Sequence, residues 1–215
     1  MSKNTLPDFF FQASKKLNIP LPEDADVQFE VYYQELIAWN KKINLTRITE
    51  RKKVFIEHFI DSIIPENFVP SKSSLIDLGS GGGFPGLPLK IIRPDLSVTL
   101  VDSSLKKVLF LRHLVRLLKL QGIVVIQKRL ENHGFSNNRY DICIGRAFAP
   151  LEKFLPLALT FRSPQGVIIA MKGPNFLNEL KVVESQLSHW GISLKQIKEF
   201  TLPFTNKQRA IIVFG

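Results

Sequence analysis

The feature that most constrains the fold is an alternation of short apolar segments with helical patterns, which begins near residue 71. Each apolar segment is only four or five residues long, and most are separated from the next by a helical pattern. Strands that are apolar throughout are typical of a parallel sheet with helices on both faces. The predicted strands occupy residues 75–78, 98–101, 123–126, 140–144 and 167–171, and the predicted helices occupy residues 86–92, 104–119, 151–161 and 176–189.

The C-terminal part departs from this alternation. Residues 192–200 and 210–214 are two apolar segments that follow each other without a helix between them, so we expect an antiparallel hairpin. The predicted fold class is therefore α/β and Rossmann-like. Its seven-stranded sheet is mostly parallel, with an antiparallel last strand and helices on both faces.

The N-terminal part shows helical patterns only, which predicts a helical extension, residues 1–70, packed on a domain formed by residues 71–215. We expect three helices here, with the following start signals: Asn4 or Thr5 as the first cap with Pro7 in the first turn, Pro22 opening the second helix, and Thr49 capping the third. The predicted apolar faces consist of Val27, Val31, Leu36, Trp39 and Ile43 in the second helix, and of Val54, Phe55, Phe59, Ile63 and Ile64 in the third. These faces must pack on another part of the protein.

The glycine-rich segment after the first predicted strand is the strongest local motif. Residues 77–86 read Asp-Leu-Gly-Ser-Gly-Gly-Gly-Phe-Pro-Gly. Glycine at such a turn lets a ligand approach the backbone where a Cβ would block it. Because Gly81, Gly83 and Gly86 also satisfy the pattern GxGxxG, a dinucleotide site is one interpretation, and a tight turn without a ligand is another.

Two acids near this segment help to distinguish between the possible ligands of this turn. Asp102 ends the second predicted strand, 23 residues after Gly79, where a carboxylate can accept hydrogen bonds from a ribose diol. Asp77 makes the run Asp-x-Gly-x-Gly-x-Gly, which resembles the S-adenosylmethionine loop of Rossmann-like methyltransferases. A carboxylate suits a cationic sulfonium and ammonium better than it suits a pyrophosphate, which needs N–H donors. Alternatively, Asp77 only caps or braces the loop.

The formal net charge of +10 is unevenly distributed along the chain. Residues 1–70 carry 9 basic and 10 acidic side chains, whereas residues 71–215 carry 20 and 9. Basic clusters lie at residues 41–53 and in the acid-free run 103–130. Such clusters can neutralise phosphates by releasing condensed counterions. A solvated helix face explains either cluster alone, but two clusters together with the net charge favour a nucleic-acid-binding protein.

The compartment is indicated by what the sequence lacks. Cys143 is the one cysteine, so neither an intramolecular disulfide nor a Cys-x-x-Cys zinc site can form. The first residues carry no apolar signal-peptide core, and no apolar stretch is long enough to cross a membrane. These features predict a cytoplasmic protein that does not associate with membranes.

Six motifs, in order between residues 39 and 173, resemble the small-subunit ribosomal RNA methyltransferase G family, also called glucose-inhibited division protein B. The motif at residues 77–89 includes Phe-Pro-Gly, which generic methyltransferases lack. The matching segments are Trp39-Asn40-Lys41 with Asn44-Leu45-Thr46, residues 58–62, residues 77–89, residues 100–111, residues 146–151 and Met171-Lys172-Gly173.

The resemblance implies a class I methyltransferase that uses S-adenosylmethionine to methylate N7 of a guanine in 16S rRNA, within the assembled small ribosomal subunit. It implies cofactor contacts at Gly79, Phe84, Leu130, Glu131 and Arg146. We expect the rest of the cofactor site to consist of Asp77, Gly81, Gly83, Asp102 and Ser103. The predicted RNA contacts are Lys41, Lys42, Arg51, Lys106, Lys107, Phe148, Lys172 and Arg209. We expect a monomer. Lys207-Gln208-Arg209 stands where some members of the family have Arg-His, so the resemblance does not define the role of Arg209.

The residues after the fourth predicted strand agree with this chemistry. Guanine N7 carries an in-plane lone pair and no proton, so its methylation requires positioning and desolvation but no general base. A C5-pyrimidine enzyme would need a cysteine nucleophile at a loop, whereas Cys143 lies inside a predicted strand. An exocyclic-amine enzyme typically has Asn or Asp-Pro-Pro-aromatic where this chain has Gly-Arg-Ala-Phe at residues 145–148. Strand ends line the ligand crevice, so we predict that Arg146 is catalytic and orients cofactor or guanine O6, and that Phe148 stacks on the base.

Structural alternatives stand beside these roles. Arg146 could instead form an ion pair with Asp141 or Glu152, Phe148 could belong to the core, and Glu131 could be a surface acid.

His58 and Asp61 lie three residues apart on one helix face. Since no third ligand accompanies them, we predict a hydrogen-bonded packing pair and no metal site. Two alternative functions also remain at this point. One is an NAD-dependent oxidoreductase, and the other is a non-catalytic RNA-binding protein on the same fold.

Overall fold

The computed structural model describes residues 6–130 and 139–215. The helices are α1 (Asp8–Lys16), α2 (Ala25–Asn40), α3 (Arg51–Val54), α4 (Asp61–Ile63), α5 (Gly86–Ile92), α6 (Leu105–Leu117), α7 (Leu151–Leu159) and α8 (Phe176–Val183). A π-helical turn, Phe55–Ile60, joins α3 to α4, and 3-10 turns occupy Ile64–Phe68 and Glu184–Gln186. The strands are β1 (Ser74–Leu78), β2 (Ser97–Asp102), β3 (Ile123–Gln127), β4 (Tyr140–Arg146), β5 (Arg162–Lys172), β6 (Leu194–Thr201) and β7 (Gln208–Phe214).

The seven strands form one sheet in the order β3-β2-β1-β4-β5-β7-β6. β1 to β5 pair in parallel, and β7 is antiparallel to both β5 and β6. This confirms the predicted mostly parallel sheet with an antiparallel last strand. The strand order reverses between β1 and β4, and in sheets of this kind ligands bind beyond the carboxyl ends of the strands at that point.

The apolar strands alternate between two cores. In β1, Leu75 packs into the cluster on one face of the sheet and Ile76 into the cluster on the other, and both are fully buried. In β4, Ile142 packs into the same cluster as Leu75, and Cys143 packs into the same cluster as Ile76. Because both faces are covered, every residue of these strands can be apolar, which explains the continuous apolar runs in the sequence.

Several boundaries differ from the sequence prediction. β5 begins at Arg162 and not at residue 167, because Arg162 pairs with Tyr140 at the start of β4 and residues 162–166 carry no apolar signal. The register then shifts, and the pairing resumes between Ile142 and Val167. α8 ends at Val183, and the 3-10 turn continues it only to Gln186. Val27 is exposed, because Phe29, Tyr32 and Leu36 form the buried face of α2.

The N-terminal helices also start later than expected. α1 begins directly after Pro7, and α2 begins at Ala25, three residues after Pro22. α3 follows Glu50 and not Thr49, and after one turn it widens into the π-helical turn. Asn4 and Thr5 lie outside the described residues.

An aromatic core joins these helices to the sheet. Phe29 packs on Phe10 and on Phe59, with ring centroids 5.0 Å apart in both pairs. All three rings are fully buried, and they belong to the same cluster as Leu87 of α5 and Leu111 of α6. Burying each such side chain contributes roughly 1.5–3 kcal/mol. In the described parts of the chain, no helix has the length and apolar character needed to cross a membrane.

Candidate functional site

A crevice of about 730 Å³ opens where the order of strands reverses; we call it the central crevice. Its walls come from the glycine-rich segment, the residues after β4, the π-helical turn and the C-terminal hairpin. A neighbouring crevice of about 280 Å³, the side crevice, is lined by Gly79, Asp102, Ser103, Lys107, Lys128, Leu130, Ala147 and Phe148. Gly79, Ala147 and Phe148 line both crevices, so the two form adjoining compartments of one site.

The glycine loop, residues 79–85, connects β1 to α5 along the floor of this site. The backbone amides of Gly79 and Ser80 both donate to the carbonyl oxygen of Val101, at 2.9 Å, which ties the loop to β2. Gly79 has a φ of +77°, a conformation that favours glycine. A Cβ at this position would also overlap the ring of Phe148. Both the backbone conformation and the space therefore require glycine here.

Two buried carboxylates support the loop from below. Asp77 is fully buried, and its Oδ2 accepts a hydrogen bond of 2.9 Å from the Gly86 amide. Burial raises the pKa of Asp77 to about 7, although the Gly86 hydrogen bond partly opposes this shift. Asp102 accepts from the Gly81 amide through Oδ2 and from the Ser104 amide through Oδ1, at 2.9 and 2.8 Å. Of the two acids that the sequence singled out, Asp102 contacts the loop backbone, and Asp77 contacts Gly86, the residue directly after the loop.

The N-terminal helices hold the loop from the other side. The hydroxyl of Tyr32 in α2 donates to the carbonyl oxygen of Gly82 at 2.5 Å. Burial raises the pKa of Tyr32 well above its ordinary value, so the phenol keeps its proton. Phe84 stacks on Tyr32 and on His58, with ring centroids 5.5 and 4.5 Å apart. The conformation of the glycine loop therefore depends on residues far away in sequence.

Arg146 lies at the carboxyl end of β4 and lines the central crevice, with only 14% of its side chain exposed. Its Nη1 donates to the Glu57 carbonyl oxygen at 2.9 Å and to Asp61 Oδ2 at 3.2 Å. Its Nη2 lies 3.1 Å from His58 Nδ1, and its guanidinium carbon lies 4.9 Å from the centre of the Phe84 ring. The π-helical turn and α4 therefore supply three acceptors to one guanidinium group.

This arrangement changes two expectations. The partner of Arg146 is Asp61, and neither Asp141 nor Glu152, because Asp141 accepts from the amide and hydroxyl of Ser74 at the opposite end of the strand. The hydrogen bonds recorded for the His58 ring and for the Asp61 carboxylate run to Arg146, Arg209 or Thr46, and not between the two side chains. The predicted hydrogen bond between His58 and Asp61 is therefore wrong, because each of these side chains instead accepts a hydrogen bond from Arg146.

The loop after β4 carries Phe148 into the site. Ala147 has a φ of +51°, and the half-buried ring of Phe148 lies between the two crevices, against Gly79. Lys172 fixes this loop by donating to the Ala149 carbonyl oxygen at 2.6 Å and to Glu179 at 2.7 Å. The ammonium group of Lys172 is thus bound within the protein, although the sequence suggested an RNA contact.

The C-terminal hairpin reaches the same wall of the central crevice. Arg209 Nε lies 3.5 Å from Asp61 Oδ2, the oxygen that also accepts from Arg146. Lys207 Nζ lies 2.6 Å from Glu57 Oε2. Glu57 and Asp61, on adjoining turns, therefore bind basic side chains from β4 and from the hairpin. Because Asp61 binds both arginines, Arg209 lies next to Arg146 in the lining of the central crevice.

The other predicted RNA contacts are differently placed. Lys41 and Lys42 are exposed in the loop after α2, the same loop that carries Leu45 into the wall of the central crevice, and Lys106 is exposed on α6. Arg51 instead forms an ion pair of 2.7 Å with Glu30 and stacks over aromatic rings. Lys107 lies 3.9 Å from Asp102 in the side crevice. Glu131 lies outside the described residues.

Among the described residues, neither Cys143 nor His58 is in a state suited to a nucleophile or a general base. Burial raises the pKa of the Cys143 thiol to about 12. Burial and the Arg146 charge lower the pKa of His58 to about 3. No group of three or more potential metal ligands occurs in residues 6–130 and 139–215.

Some residues at this site had no signal in the sequence. Tyr32 reads as one more apolar position of a helix, and Glu57 contributes a backbone oxygen that any residue could supply. Thr46 Oγ1 lies 2.7 Å from His58 Nε2. The only signal for Thr46 in the sequence is its place in the Asn-Leu-Thr motif.

Sequence comparisons give matches over nearly the whole chain. Residues 26–212 match the family model GidB, described as rRNA small subunit methyltransferase G. The chain is 39% identical, over 94% of its length and 86% of the relative's, to a ribosomal RNA small subunit methyltransferase G of Desulforamulus reducens. It is 37% identical to the protein of that name from Oceanobacillus iheyensis, with 97% and 90% covered.

Solved structures with low sequence identity share the fold. A SAM-dependent methyltransferase from Aquifex aeolicus superimposes with a TM-score of 0.58 at 18% identity, covering 83% of this chain and 97% of that one. TYW2 of M. jannaschii, solved in complex with AdoMet, gives a TM-score of 0.57 at 15% identity, with 78% and 77% covered. The match to the family model and the full-length relatives together establish that this chain belongs to the rRNA small subunit methyltransferase G family.

Proposed function

We propose that this protein transfers a methyl group from S-adenosylmethionine to N7 of a guanine in 16S rRNA, with the assembled small ribosomal subunit as its substrate. Family membership supports the donor and the class of RNA. The observation that carries the proposal is the position of Arg146. It lines the central crevice beside the glycine loop, where the neighbouring carboxylates of Glu57 and Asp61 are bound to Lys207, to Arg209 and to Arg146 itself.

The residues of the site fit the cofactor. When bound, S-adenosylmethionine supplies an electrophilic methyl group on a cationic sulfur. Gly81 has open space where a Cβ would project, so its backbone is accessible to a ligand from the central crevice. Asp102 and Ser103 line the side crevice with Leu130, where an acid suits the diol of an adenosine.

The cofactor contacts proposed within the described residues are Gly79, Gly81, Gly83, Phe84, Asp102, Ser103, Leu130 and Arg146. Glu131 completes the set by resemblance to the family. We propose that Asp77 acts indirectly, since its carboxyl group is fully buried and binds the Gly86 amide beneath the loop.

Arg146 has donors left for a ligand. A guanidinium group carries five N–H donors, and contacts with described residues use three of them. The remaining donors can bind an acceptor such as guanine O6 or a cofactor carboxylate. Because N7 has no proton to lose, orientation by Arg146 and exclusion of water are sufficient roles for the protein.

RNA binding is proposed to use the exposed rim of the central crevice. Lys41 and Lys42 are exposed in the loop that carries Leu45 into its wall, Phe148 offers an aromatic face for a base, and Arg209 lines the wall. Lys106 and Lys107 provide positive charge near the side crevice. We expect the protein to act on the subunit as a monomer in the cytoplasm.

The helical extension, residues 1–70, is proposed to be an integral part of this site. It supplies Tyr32 to the glycine loop, as well as the acceptors for Arg146 at residues 57, 58 and 61. A domain of residues 71–215 alone would lack all of these contacts.

The oxidoreductase alternative is disfavoured by family membership, because residues 26–212 match an rRNA methyltransferase family and relatives of nearly full length carry the same name. The contact between Gly86 and Asp77 fits either kind of loop, since the last glycine of GxGxxG serves close packing of helix on strand.

The proposal is tested by incubating purified protein with methyl-labelled S-adenosylmethionine and small subunits that lack the modification. We expect label at one guanine of the 16S rRNA, located by strand cleavage specific for 7-methylguanine. Label at an exocyclic amine or a pyrimidine would contradict the proposed acceptor atom. Cofactor binding without label on subunits or on free RNA would contradict the proposed substrate and favour a non-catalytic role.

A further inference from the structure

We propose that His58 is a positioning residue for Arg146, whose unprotonated Nδ1 fixes the orientation of the guanidinium group in the central crevice. This inference rests on the proposed function, because it concerns the residue that we expect to orient the reactants. His58 itself lines the central crevice on the π-helical turn, 88 residues before Arg146 in the sequence.

The direction of the hydrogen bonds defines the state of the imidazole ring. Arginine can only donate, so Nδ1 of His58 must be the acceptor for Arg146 Nη2 at 3.1 Å. The proton of the neutral ring then resides on Nε2, which lies 2.7 Å from Thr46 Oγ1. Thr46 Oγ1 also accepts from the Ile48 amide at 2.9 Å, so its position is fixed by the backbone. The donor-only guanidinium group therefore selects the tautomer, and Thr46 Oγ1 is placed to accept from the Nε2 proton.

Stacking fixes the plane of the same ring. The imidazole of His58 lies nearly parallel to the Phe84 ring, with an interplanar angle of 15° and a centroid distance of 4.5 Å. The guanidinium group of Arg146 also lies over Phe84. Since Phe84 belongs to the glycine loop, His58 and Arg146 are positioned together relative to the proposed cofactor site.

The contacts of Arg146 are not interchangeable. Glu57 and Asp61 both accept from Nη1, whereas His58 is the acceptor recorded for Nη2 among the described residues. Without His58 the group is held at one nitrogen and can turn about it, which would misdirect its remaining donors. A displacement of about 1 Å at a reacting centre can reduce the rate about 100-fold. We therefore expect loss of His58 to lower kcat more than it changes KM for the subunit.

Two amide substitutions separate this role from simple packing. In His58→Asn, the side-chain oxygen can take the position of Nδ1 and accept from Arg146. In His58→Gln, the longer side chain places its amide near the position of Nε2, so it keeps the contact with Thr46 and loses the acceptor for Arg146. Both variants lose the ring that stacks on Phe84, so a difference between them does not come from the loss of stacking.

We expect His58→Asn to keep kcat within about fivefold of wild type, and His58→Gln to lower it about 10- to 100-fold, with KM for small subunits unchanged within about threefold in both. The midpoints of thermal unfolding of His58→Asn and His58→Gln should agree with each other within about 2 °C. His113→Gln is the control, because His113 is a half-buried histidine bound to Glu35, outside both crevices, and should leave kcat unchanged. Equal losses in the Asn and Gln variants, or full activity in both, would overturn the positioning role.

A second readout does not depend on activity. Nitrogen-15 spectra of the histidine side chains, with the His58 signals assigned by their absence in His58→Gln, report which ring nitrogen carries the proton. We expect a neutral His58 protonated on Nε2, and a charged ring or a proton on Nδ1 would contradict the proposal. If wild-type protein failed to methylate subunits, the proposed function would fall while these spectra still decided the His58–Arg146 contact.

Discussion

The ring of Phe148 lies against the backbone of Gly79, so closely that a Cβ at residue 79 would overlap the ring. This contact joins the loop after β1 to the loop after β4, the two strands between which the strand order reverses. The position of the proposed base-stacking residue and the conformation of the cofactor loop are therefore coupled.

Gly79→Ala should disturb both loops. The substitution places a side chain at a φ of +77° and forces Phe148 away, so we expect a loss of about 1–3 kcal/mol in the free energy of unfolding, measured with urea. Cofactor affinity should fall as well. The double substitution Gly79→Ala with Phe148→Ala removes the overlap but keeps the backbone strain, so it should recover part of the stability. Wild-type stability in the single variant would show that the contact does not constrain the loop.

Tyr32→Phe tests whether the helical extension shapes the cofactor loop. The change removes only the hydroxyl that donates to the Gly82 carbonyl oxygen. We expect the free energy of unfolding to fall by about 0.5–1.5 kcal/mol, with a larger apparent Kd for S-adenosylmethionine. Tyr33→Phe is the matched control on the same helix, since the hydrogen bond to Gly82 belongs to Tyr32. Unchanged cofactor affinity in the Tyr32 variant would separate the extension from the site.

Asp77→Asn should change how stability depends on pH. Burial raises the pKa of Asp77 to about 7, so between its ordinary pKa and that value the folded state binds a proton that the unfolded state has released. Asp77 therefore lowers the stability of the wild type as pH rises through this window. Asparagine can still accept from the Gly86 amide but has no proton to lose.

We expect the free energy of unfolding of Asp77→Asn, relative to wild type, to be more favourable at about pH 8 than at about pH 5. Urea unfolding at both values measures this difference. A difference that does not vary with pH would mean that Asp77 ionises normally in the folded protein.

The exposed lysines after α2 should determine part of the salt dependence of RNA binding. Replacing Lys41 and Lys42 by Ala should raise KM for small subunits and reduce the slope of log affinity against log salt by up to about 2. Replacing Lys15 and Lys16, which are exposed at the end of α1, removes the same charge elsewhere and serves as control. Equal effects of the two pairs would indicate a response to net charge alone.

The sequence was sufficient for the sheet and for the parts of the site that follow directly from strands. Apolar runs predicted β1 to β5, and the rule that ligands bind beyond strand ends pointed to Asp102 and Arg146. The strands and the places of these two residues beside the crevices were predictable because they depend on local pattern and on a general property of parallel sheets, whereas the roles of both residues stay predictions.

The contacts that hold the site were beyond the sequence for physical reasons. Tyr32 and Gly82 are 50 residues apart, and no periodicity encodes their hydrogen bond. Nothing in residues 55–60 signals a π-helical turn in place of an α-helix. A lysine such as Lys172 reads identically whether its ammonium group faces RNA or binds Glu179 inside the protein. Charge counts therefore indicated a basic protein without indicating which charges are free.

The central claim is tested most directly by measuring 7-methylguanosine in nucleosides from small subunits that lacked the modification before incubation with S-adenosylmethionine and either wild-type protein or Arg146→Ala. We expect about one 7-methylguanosine per subunit with wild type, and at least about a 100-fold slower rate with the variant. A thermal unfolding transition in the variant would verify that it is folded. Near-wild-type methylation by Arg146→Ala would contradict the proposed role of Arg146, and the absence of 7-methylguanosine with wild type would contradict the proposed reaction.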